Sequence, residues 1–213
     1  MRSIATRSAG GSWLGTVTEG LGPLAEALSA LERAFLIGVD GVTEVWLVRH
    51  GQAQSDSAAG SDPGLSPRGQ DQALRLSRRL APLVVNAVYC SPLLRARQTA
   101  LAVAADVFPD RRLLEAETRI QKGKLKQLEP AHEVVTRIAA AVDDAVSDHP
   151  GGRVVMVTHG LAILNYLESV LGLEPGSFRF FPQCASISLV RIGKSRRMVG
   201  PLGDVAHLEL GGW

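Results

Sequence analysis

The stretch "EVWLVRHGQAQSD", residues 44–56, decides the fold of this chain because it joins an apolar run to a cluster of polar side chains. The run Val45-Trp46-Leu47-Val48 predicts a short buried strand. It is followed directly by Arg49, His50 and Gly51. A strand that ends this way either reaches the surface at a simple turn or ends at a binding site, and the rest of the chain distinguishes the two.

Strand-like and helix-like runs alternate after residue 44. Ser66-Pro67 predicts a helix to about Leu80, with serine as the cap and proline in the first turn. Ser91-Pro92 predicts a second helix of the same kind, to about Val107. The other predicted elements are strands at 86–90, 154–157 and 185–191 and helices at 131–147 and 160–171. This alternation predicts an α/β layered fold around a largely parallel sheet.

Residues 1–43 precede the first strand and are predicted to form an extension to a domain at 44–213. Residues 1–20 contain four glycines and are predicted to be irregular. Leucines at 24, 28 and 31 and Phe35 repeat at helical spacing, which predicts a helix over 21–36. We expect this extension to be either a helix that meets a partner or a segment upstream of the true start.

Composition excludes several classes of protein. Of the 213 residues, 46% are apolar and 21% are charged, which is typical of a globular chain. No apolar run reaches membrane-spanning length, so no membrane partner is expected. Cys90 and Cys184 lie far apart and form no C-x-x-C pair, which favours a reducing compartment, and we expect the cytoplasm. The first residues resemble a transit peptide only loosely.

Polar clusters follow three of the predicted strands. They are Arg49-His50-Gly51, residues 91–95 with Arg95, and Thr158-His159-Gly160. The carboxyl ends of parallel strands share one edge of a sheet, where ligands bind in the crevice. That edge is expected to hold two histidines, two arginines and helix N-termini, which favour phosphate-like anions. The sequence therefore predicts an anion site here.

Four motifs in order extend this interpretation. They are "LVRHGQAQ", "LSPRGQDQA", "VYCSPLLRARQTA" and "VVMVTHG". In order and spacing they resemble the histidine phosphatase superfamily, also called the phosphoglycerate mutase-like family. The resemblance covers roughly residues 44–192. It implies a three-layer α/β/α sandwich around a mostly parallel sheet, and phosphoryl transfer through a phosphohistidine.

The same resemblance implies the roles of individual residues. His50 would be the nucleophile, and Arg49, Arg95 and His159 would bind the phosphoryl oxygens beside Gly51 and Gly160. A neutral imidazole suits this role, since its reference pKa is about 6.5. Two arginines neutralise phosphoryl charge without a metal, so we expect neither a metal nor a cofactor.

The chain departs from the family at the expected proton donor. Many members carry a "G-x-W-E-G"-like loop after an "L-x-E" segment, and the matching stretch here is "RRLLEAETRIQKGKLKQLEP". Leu113-Leu114-Glu115 fits the first part, but Lys122 stands where a glutamate is expected. Glu115 is the first candidate for the acid, and Glu117 is the alternative.

This region is also short compared with the longer cap of mutases. An uncapped site could admit a phosphoprotein, and Lys122, Lys124 and Lys126 could meet an acidic partner, or they could belong to a solvated loop. His132 is predicted to face solvent at a helix start, and His149 and His207 are predicted to be ordinary loop or surface residues.

These observations predict a phosphatase that hydrolyses phosphomonoesters or phosphohistidine. The expected partner is a phosphorylated small molecule or a phosphoprotein, without nucleic acid, and the oligomeric state stays open. The alternatives are a non-catalytic phosphate-binding module of the same fold and a phosphoglycerate mutase-type phosphotransferase. A metal site is disfavoured because no H-E-x-x-H or C-x-x-C spacing supports it, and no P-loop motif is present.

Overall fold

The computed structural model describes residues 15–55 and 62–209. The chain divides into two compact units between Val39 and Asp40, close to the predicted boundary. The first unit contains helix α1 (Gly15–Ala34). The prediction that residues 1–20 are irregular is therefore wrong for residues 15–20, which are helical. Residues 1–14 lie outside the described residues. Glycine lowers helix stability by about 1 kcal/mol relative to alanine but does not forbid a helix.

The second unit holds the remaining elements. In chain order they are β1 (Thr43–Arg49), α2 (Pro67–Leu80), β2 (Ala87–Cys90), α3 (Leu94–Val103), β3 (Phe108–Pro109), a 3₁₀ turn (Arg111–Leu113), β4 (Thr118–Gln121), β5 (Lys124–Gln127), α4 (Ala131–Asp148), β6 (Arg153–Thr158), α5 (Gly160–Val170), β7 (Ile187–Ile192), β8 (Arg197–Val199) and α6 (Ala206–Glu209). None of the helices in the described part of the chain combines the length and apolar character needed to cross a membrane.

The main sheet is mostly parallel, as predicted. Its strand order is β3-β2-β6-β1-β7-β8. Strands β3, β2, β6 and β1 run parallel, while β7 runs antiparallel to β1 and β8 antiparallel to β7. The antiparallel strands close one edge of the sheet.

Helices cover both faces of this sheet, which confirms the three-layer α/β/α prediction. On one face, α4 and α5 pack on side chains such as Val45, Leu47 and Met156. On the other face, α2 and α3 pack on side chains such as Val48, Val88 and Val157. Successive residues of a strand point to opposite faces, so the apolar runs of β1 and β6 supply both cores.

Helix α3 is shorter than the predicted 91–107. It begins at Leu94 and ends at Val103, and its cap residue Leu93 makes no side-chain capping bond. Ser91 does not cap it, because its hydroxyl lies within hydrogen-bond distance of an imidazole on another element. Asp62 instead accepts the first helical amide, from Leu94, at 2.8 Å.

The stretch 118–127 is a two-stranded hairpin, β4–β5, where the sequence favoured a loop. Ile120 pairs with Leu125 across it. Lys122 and Gly123 form the turn with φ of 50° and 72°. Two positive φ values are what a tight hairpin turn requires, and glycine supplies one without strain.

Candidate active site

The carboxyl ends of β1, β2 and β6 meet at one edge of the sheet, as predicted. Arg49 pairs with Thr158 in the register of β1 and β6, and the His50 amide donates to the Thr158 carbonyl at 3.0 Å. The Ser91 amide donates to the Val157 carbonyl at 2.9 Å. The imidazoles of His50 and His159 therefore lie side by side, with ring centroids 5.0 Å apart and an interplanar angle of 64°.

His50 is held in one tautomer. Its Nδ1 lies 2.7 Å from the carbonyl oxygen of Gly51. A carbonyl can only accept, so Nδ1 carries the proton and Nε2 keeps its lone pair. The Nε of Arg95 donates to that Nε2 at 3.2 Å. Burial, followed by the positive charges of Arg95 and Arg49, lowers the pKa of His50 to about 4, although the bond to Gly51 works against this.

His159 has the opposite arrangement. Its Nδ1 lies 3.4 Å from an Arg95 nitrogen, and its Nε2 lies 2.8 Å from the Ser91 hydroxyl oxygen. Arginine only donates, so Nδ1 accepts and Nε2 donates its proton to Ser91. The ring is fully buried. The pKa of His159 lies well below its ordinary value, first because the ring is buried and then because of the charges of His50, Arg95 and Arg49.

Arg95 connects the site. Its guanidinium reaches both imidazoles, and a third nitrogen lies 3.6 Å from the Asp62 carboxylate. The negative charges of Asp62 and Glu115 act on this guanidinium. The guanidinium of Arg95 is thus oriented by His50, Asp62 and His159, which lie on three different segments.

Arg49 directly precedes His50 and has partners of its own. One of its terminal nitrogens donates to the Pro182 carbonyl at 2.8 Å, and its guanidinium carbon lies 4.9 Å from the ring centroid of Phe181. Its Nε is buried and has no hydrogen-bond partner among the described residues. The two arginines place two permanent positive charges close to His50.

Gly51 and Gly160 are both needed for close packing. A Cβ on Gly51 would lie 2.6 Å from the Gly69 carbonyl oxygen, at the start of α2. The Gly51 amide donates to the Thr99 hydroxyl at 3.0 Å. A Cβ on Gly160 would lie 2.6 Å from the ring of Phe181. The amide of Gly51 is therefore held by α3, and α2 leaves no room for a side chain at this position.

Glu115 lies against the first turn of α5. Its Oε1 accepts from the amides of Ala116 and Ala162, both at 3.0 Å, and its Oε2 accepts from the Leu161 amide at 3.3 Å. The preceding turn is fixed to β6, because the Thr158 hydroxyl donates to the Leu113 carbonyl at 2.6 Å. Glu115 therefore caps the helix that begins beside His159.

The alternative acid lies elsewhere. Glu117 is exposed, and only its backbone takes part in the hydrogen bonds at the base of the hairpin. Lys122 lies at the tip of the hairpin, not in the pocket. Of the two glutamates, Glu115 is the one that the fold holds against the first turn of α5, directly after His159.

The remaining histidines lie apart from this site. His132 is exposed near the start of α4, as predicted. His149 lies at the end of α4, within 3.3 Å of the Tyr89 hydroxyl. The prediction for His207 was wrong: it is buried, with Nε2 3.0 Å from the Ala185 carbonyl oxygen. Across residues 15–55 and 62–209, His, Cys, Asp and Glu form no group of three or more suited to a metal ion.

Sequence reasoning missed three contacts of the site. They are the contacts of Asp62 with Arg95, of Phe181 with Arg49, and of Ser91 with His159. The two residues of these pairs lie 33, 132 and 68 positions apart in the sequence. The serine stood in a recognised motif but was interpreted as a helix cap. No local pattern signals the other two contacts.

Comparison with known proteins yields relatives of one kind. A probable phosphoglycerate mutase GpmB from Cronobacter sakazakii is 28% identical over 204 residues, covering 78% of this chain and 95% of that protein. Among solved structures, Bacillus stearothermophilus YhfR matches with a TM-score of 0.67 at 23% identity, covering 78% of this chain and all of that one. A phosphoserine phosphatase from Entamoeba histolytica matches with a TM-score of 0.68 at 19% identity, covering 78% and 99%.

These structural likenesses show the fold. The family model of the histidine phosphatase superfamily, branch 1, matches residues 45–124 and 110–204, which together span most of the chain. The matched span contains the imidazole pair, both arginines and Glu115. The chain therefore belongs to the histidine phosphatase superfamily.

Proposed function

We propose that this protein is a phosphatase that hydrolyses phosphomonoesters or phosphohistidine through a covalent phosphohistidine on His50. One observation carries the proposal: the Gly51 carbonyl accepts the Nδ1 proton of His50, so the lone pair of Nε2 faces Arg95. With a pKa of about 4, this imidazole is neutral near neutral pH and ready to attack phosphorus.

In the first step, Nε2 of His50 bonds to phosphorus and the bond from phosphorus to the leaving group breaks. Arg49 and Arg95 neutralise the phosphoryl oxygens. His159, neutral in the empty site, is drawn toward its charged form by the incoming anion and then donates from Nδ1. Ser91 keeps the ring oriented, because its hydroxyl oxygen accepts the Nε2–H bond in both the neutral and the charged form of His159.

In the second step, water attacks the phosphohistidine, the phosphorus–nitrogen bond breaks, and inorganic phosphate leaves. We propose Glu115 as the group that supplies a proton to the leaving group and removes one from this water. The support is its position: it contacts the first turn of α5 directly after His159. Good leaving groups, such as phosphohistidine, depend least on this carboxyl.

Two alternatives use the same pocket. A non-catalytic phosphate-binding module would not need an imidazole lone pair directed at the anion, so His50 favours an enzyme. A phosphoglycerate mutase-type phosphotransferase would return the phosphoryl group to a second hydroxyl instead of water. The relatives carry names of both kinds, a probable mutase and a phosphoserine phosphatase.

The substrate is proposed to be a phosphorylated small molecule or a phosphoprotein, handled without a metal or cofactor by residues 44–213 in the cytoplasm. We propose no nucleic-acid or membrane partner. The hairpin next to the site supports access for a large substrate, because Arg119, Lys122, Lys124 and Lys126 are exposed and form no ion pair among the described residues. Its base is tied to α5 by two hydrogen bonds between the amides of Gln127 and Asn165.

The test is His50→Ala, with His132→Ala as the matched control at an exposed histidine. Rapid acid-free quench of the wild type with a labelled aryl phosphate should trap a phosphoenzyme that is stable in base and labile in acid. His50→Ala should form none and release no phosphate, while His132→Ala should behave as wild type. Turnover by the His50 variant at the wild-type rate would overturn the proposal.

A further inference from the structure

The segment that precedes β7 is fixed against the phosphoryl-binding arginine. Ala185 donates to the Arg49 carbonyl at 2.9 Å, and the Arg49 amide donates to the Ser186 carbonyl at 3.2 Å. The Arg49 guanidinium also donates to the Pro182 carbonyl at 2.8 Å. Phe181 directly precedes the segment that these contacts fix, so they limit its position relative to Arg49.

The ring of Phe181 covers part of the site and leaves part of itself uncovered. Its centroid lies 4.9 Å from the Arg49 guanidinium carbon. It also rests on Gly160, where a Cβ would come within 2.6 Å of the ring. The residue nevertheless stays 52% exposed. A flat apolar surface thus faces solvent next to the residues that would bind a phosphoryl group.

An aromatic ring in this place contributes in two ways. The ring face attracts the guanidinium and helps to orient it. The open part of the ring can pack on a second planar group in an offset or edge-on arrangement. Such a pair is stabilised by more than the burial of its apolar area alone. A phosphoryl group on Arg49 places whatever is bonded to phosphorus within reach of this ring.

We propose that Phe181 forms a subsite for the leaving group, and that this subsite selects planar aromatic groups over small alkyl groups. The proposal rests on the proposed function in one respect only: the same arginines and His50 receive the phosphoryl group. Gly160 belongs to the subsite because any side chain there would displace the ring.

The experiment measures binding rather than turnover, so its outcome is separable from that of the proposed function. Phenylphosphonate and methylphosphonate, which are not hydrolysed, are titrated calorimetrically into the full-length protein. The variants are Phe181→Ala and Phe181→Leu, and the matched control is Phe108→Ala. Phe108 is 53% exposed, and its ring packs on Tyr89 at the edge strand β3.

The wild type should bind phenylphosphonate about 3- to 10-fold more tightly than methylphosphonate, the range expected for one aromatic contact. Phe181→Ala should lose this preference while its methylphosphonate affinity stays within about 2-fold of wild type. Phe181→Leu keeps apolar volume but no flat ring, and should lose most of the preference. Phe108→Ala should keep it.

Three results would overturn the subsite. The wild type could show no preference, or Phe181→Ala could retain it. Phe181→Ala could also weaken both ligands by the same factor, which would show that the ring acts only through Arg49. Full retention of the preference in Phe181→Leu would refute selection for planar groups. Tight phosphonate binding with no turnover of any ester would contradict the proposed function and leave the subsite supported.

Discussion

Acidification should destabilise this protein through His50, and the size of the effect follows from its surroundings. Its pKa is about 4 in the folded protein, against an ordinary value of 6.5. Between these values the unfolded chain binds more protons than the folded one, so stability rises with pH. The contribution is fully present above the unfolded pKa and is lost as the pH falls toward the folded pKa. The whole shift corresponds to about 3 kcal/mol, of which about 2 kcal/mol is lost between about pH 7 and about pH 5.

The assay is urea unfolding at these two pH values for wild type, His50→Ala and the exposed control His132→Ala. The pKa values of His159 and His207 are also lowered, chiefly by burial, so both add to the loss in every variant. The difference between variants isolates His50. On going to the lower pH, His50→Ala should lose about 2 kcal/mol less of its unfolding free energy than wild type and the control do.

The comparison also shows what would refute the reasoning. If wild type and His50→Ala lose the same free energy on acidification, His50 is not held neutral by burial and by the arginines. His50 would then titrate in the usual range of a histidine, and the argument for it as the nucleophile from its depressed pKa would fail. A smaller loss in His132→Ala than in wild type would show that exposed histidines dominate the pH dependence.

Four further outcomes are expected. Chelators should leave phosphate release unchanged, because arginines supply the charge; loss restored by zinc or magnesium would contradict this. Glu115→Gln should slow alkyl phosphate hydrolysis by about 10²- to 10⁴-fold and nitrophenyl phosphate hydrolysis by less, while Glu117→Gln should change neither rate. Equal rates for the two esters in the Glu115 variant would exclude Glu115 as the acid. Ser91→Ala leaves the buried His159 donor unpaired and should cost about 1–3 kcal/mol in urea unfolding, whereas an unchanged midpoint would show that the contact contributes nothing. Lys124→Glu with Lys126→Glu should lower kcat/KM for an acidic phosphopeptide about 10-fold at low salt and leave nitrophenyl phosphate unchanged; the same effect on both substrates would mean that the hairpin shapes the pocket instead.

The division of the chain into strands and helices was largely predictable from local patterns. Residues 45–48 and 154–157 fall within β1 and β6, and the Ser66-Pro67 signal marks the start of α2. Apolar periodicity and capping signals act over a few residues and can therefore be recognised without knowledge of tertiary contacts. The prediction failed where a side chain had a stronger partner: Ser91 bonds to His159 and leaves the capping of α3 to Asp62.

The convergence of the histidines and arginines followed from a topological rule, and the motif spacing identified the family. The strand ends of a parallel sheet share an edge, so motifs distant in sequence had to meet there. The hairpin at 118–127 did not follow, because a turn of Lys122 and Gly123 in a strongly charged stretch is equally typical of a loop.

Sequence alone therefore indicated most of the main sheet with its helices, the edge at which the motifs meet, and the family; it did not indicate the β4–β5 hairpin or the contacts of Asp62 and Phe181. Packing decided the chemical state of the site residues: which nitrogen of His50 and His159 holds the proton, which glutamate lies against the helix that follows His159, and that Phe181 covers Arg49. The physical reason is range. Periodicity and caps are written in neighbouring residues, whereas tautomers and pKa values depend on burial and on hydrogen-bond partners that only the folded sheet brings within a few ångströms.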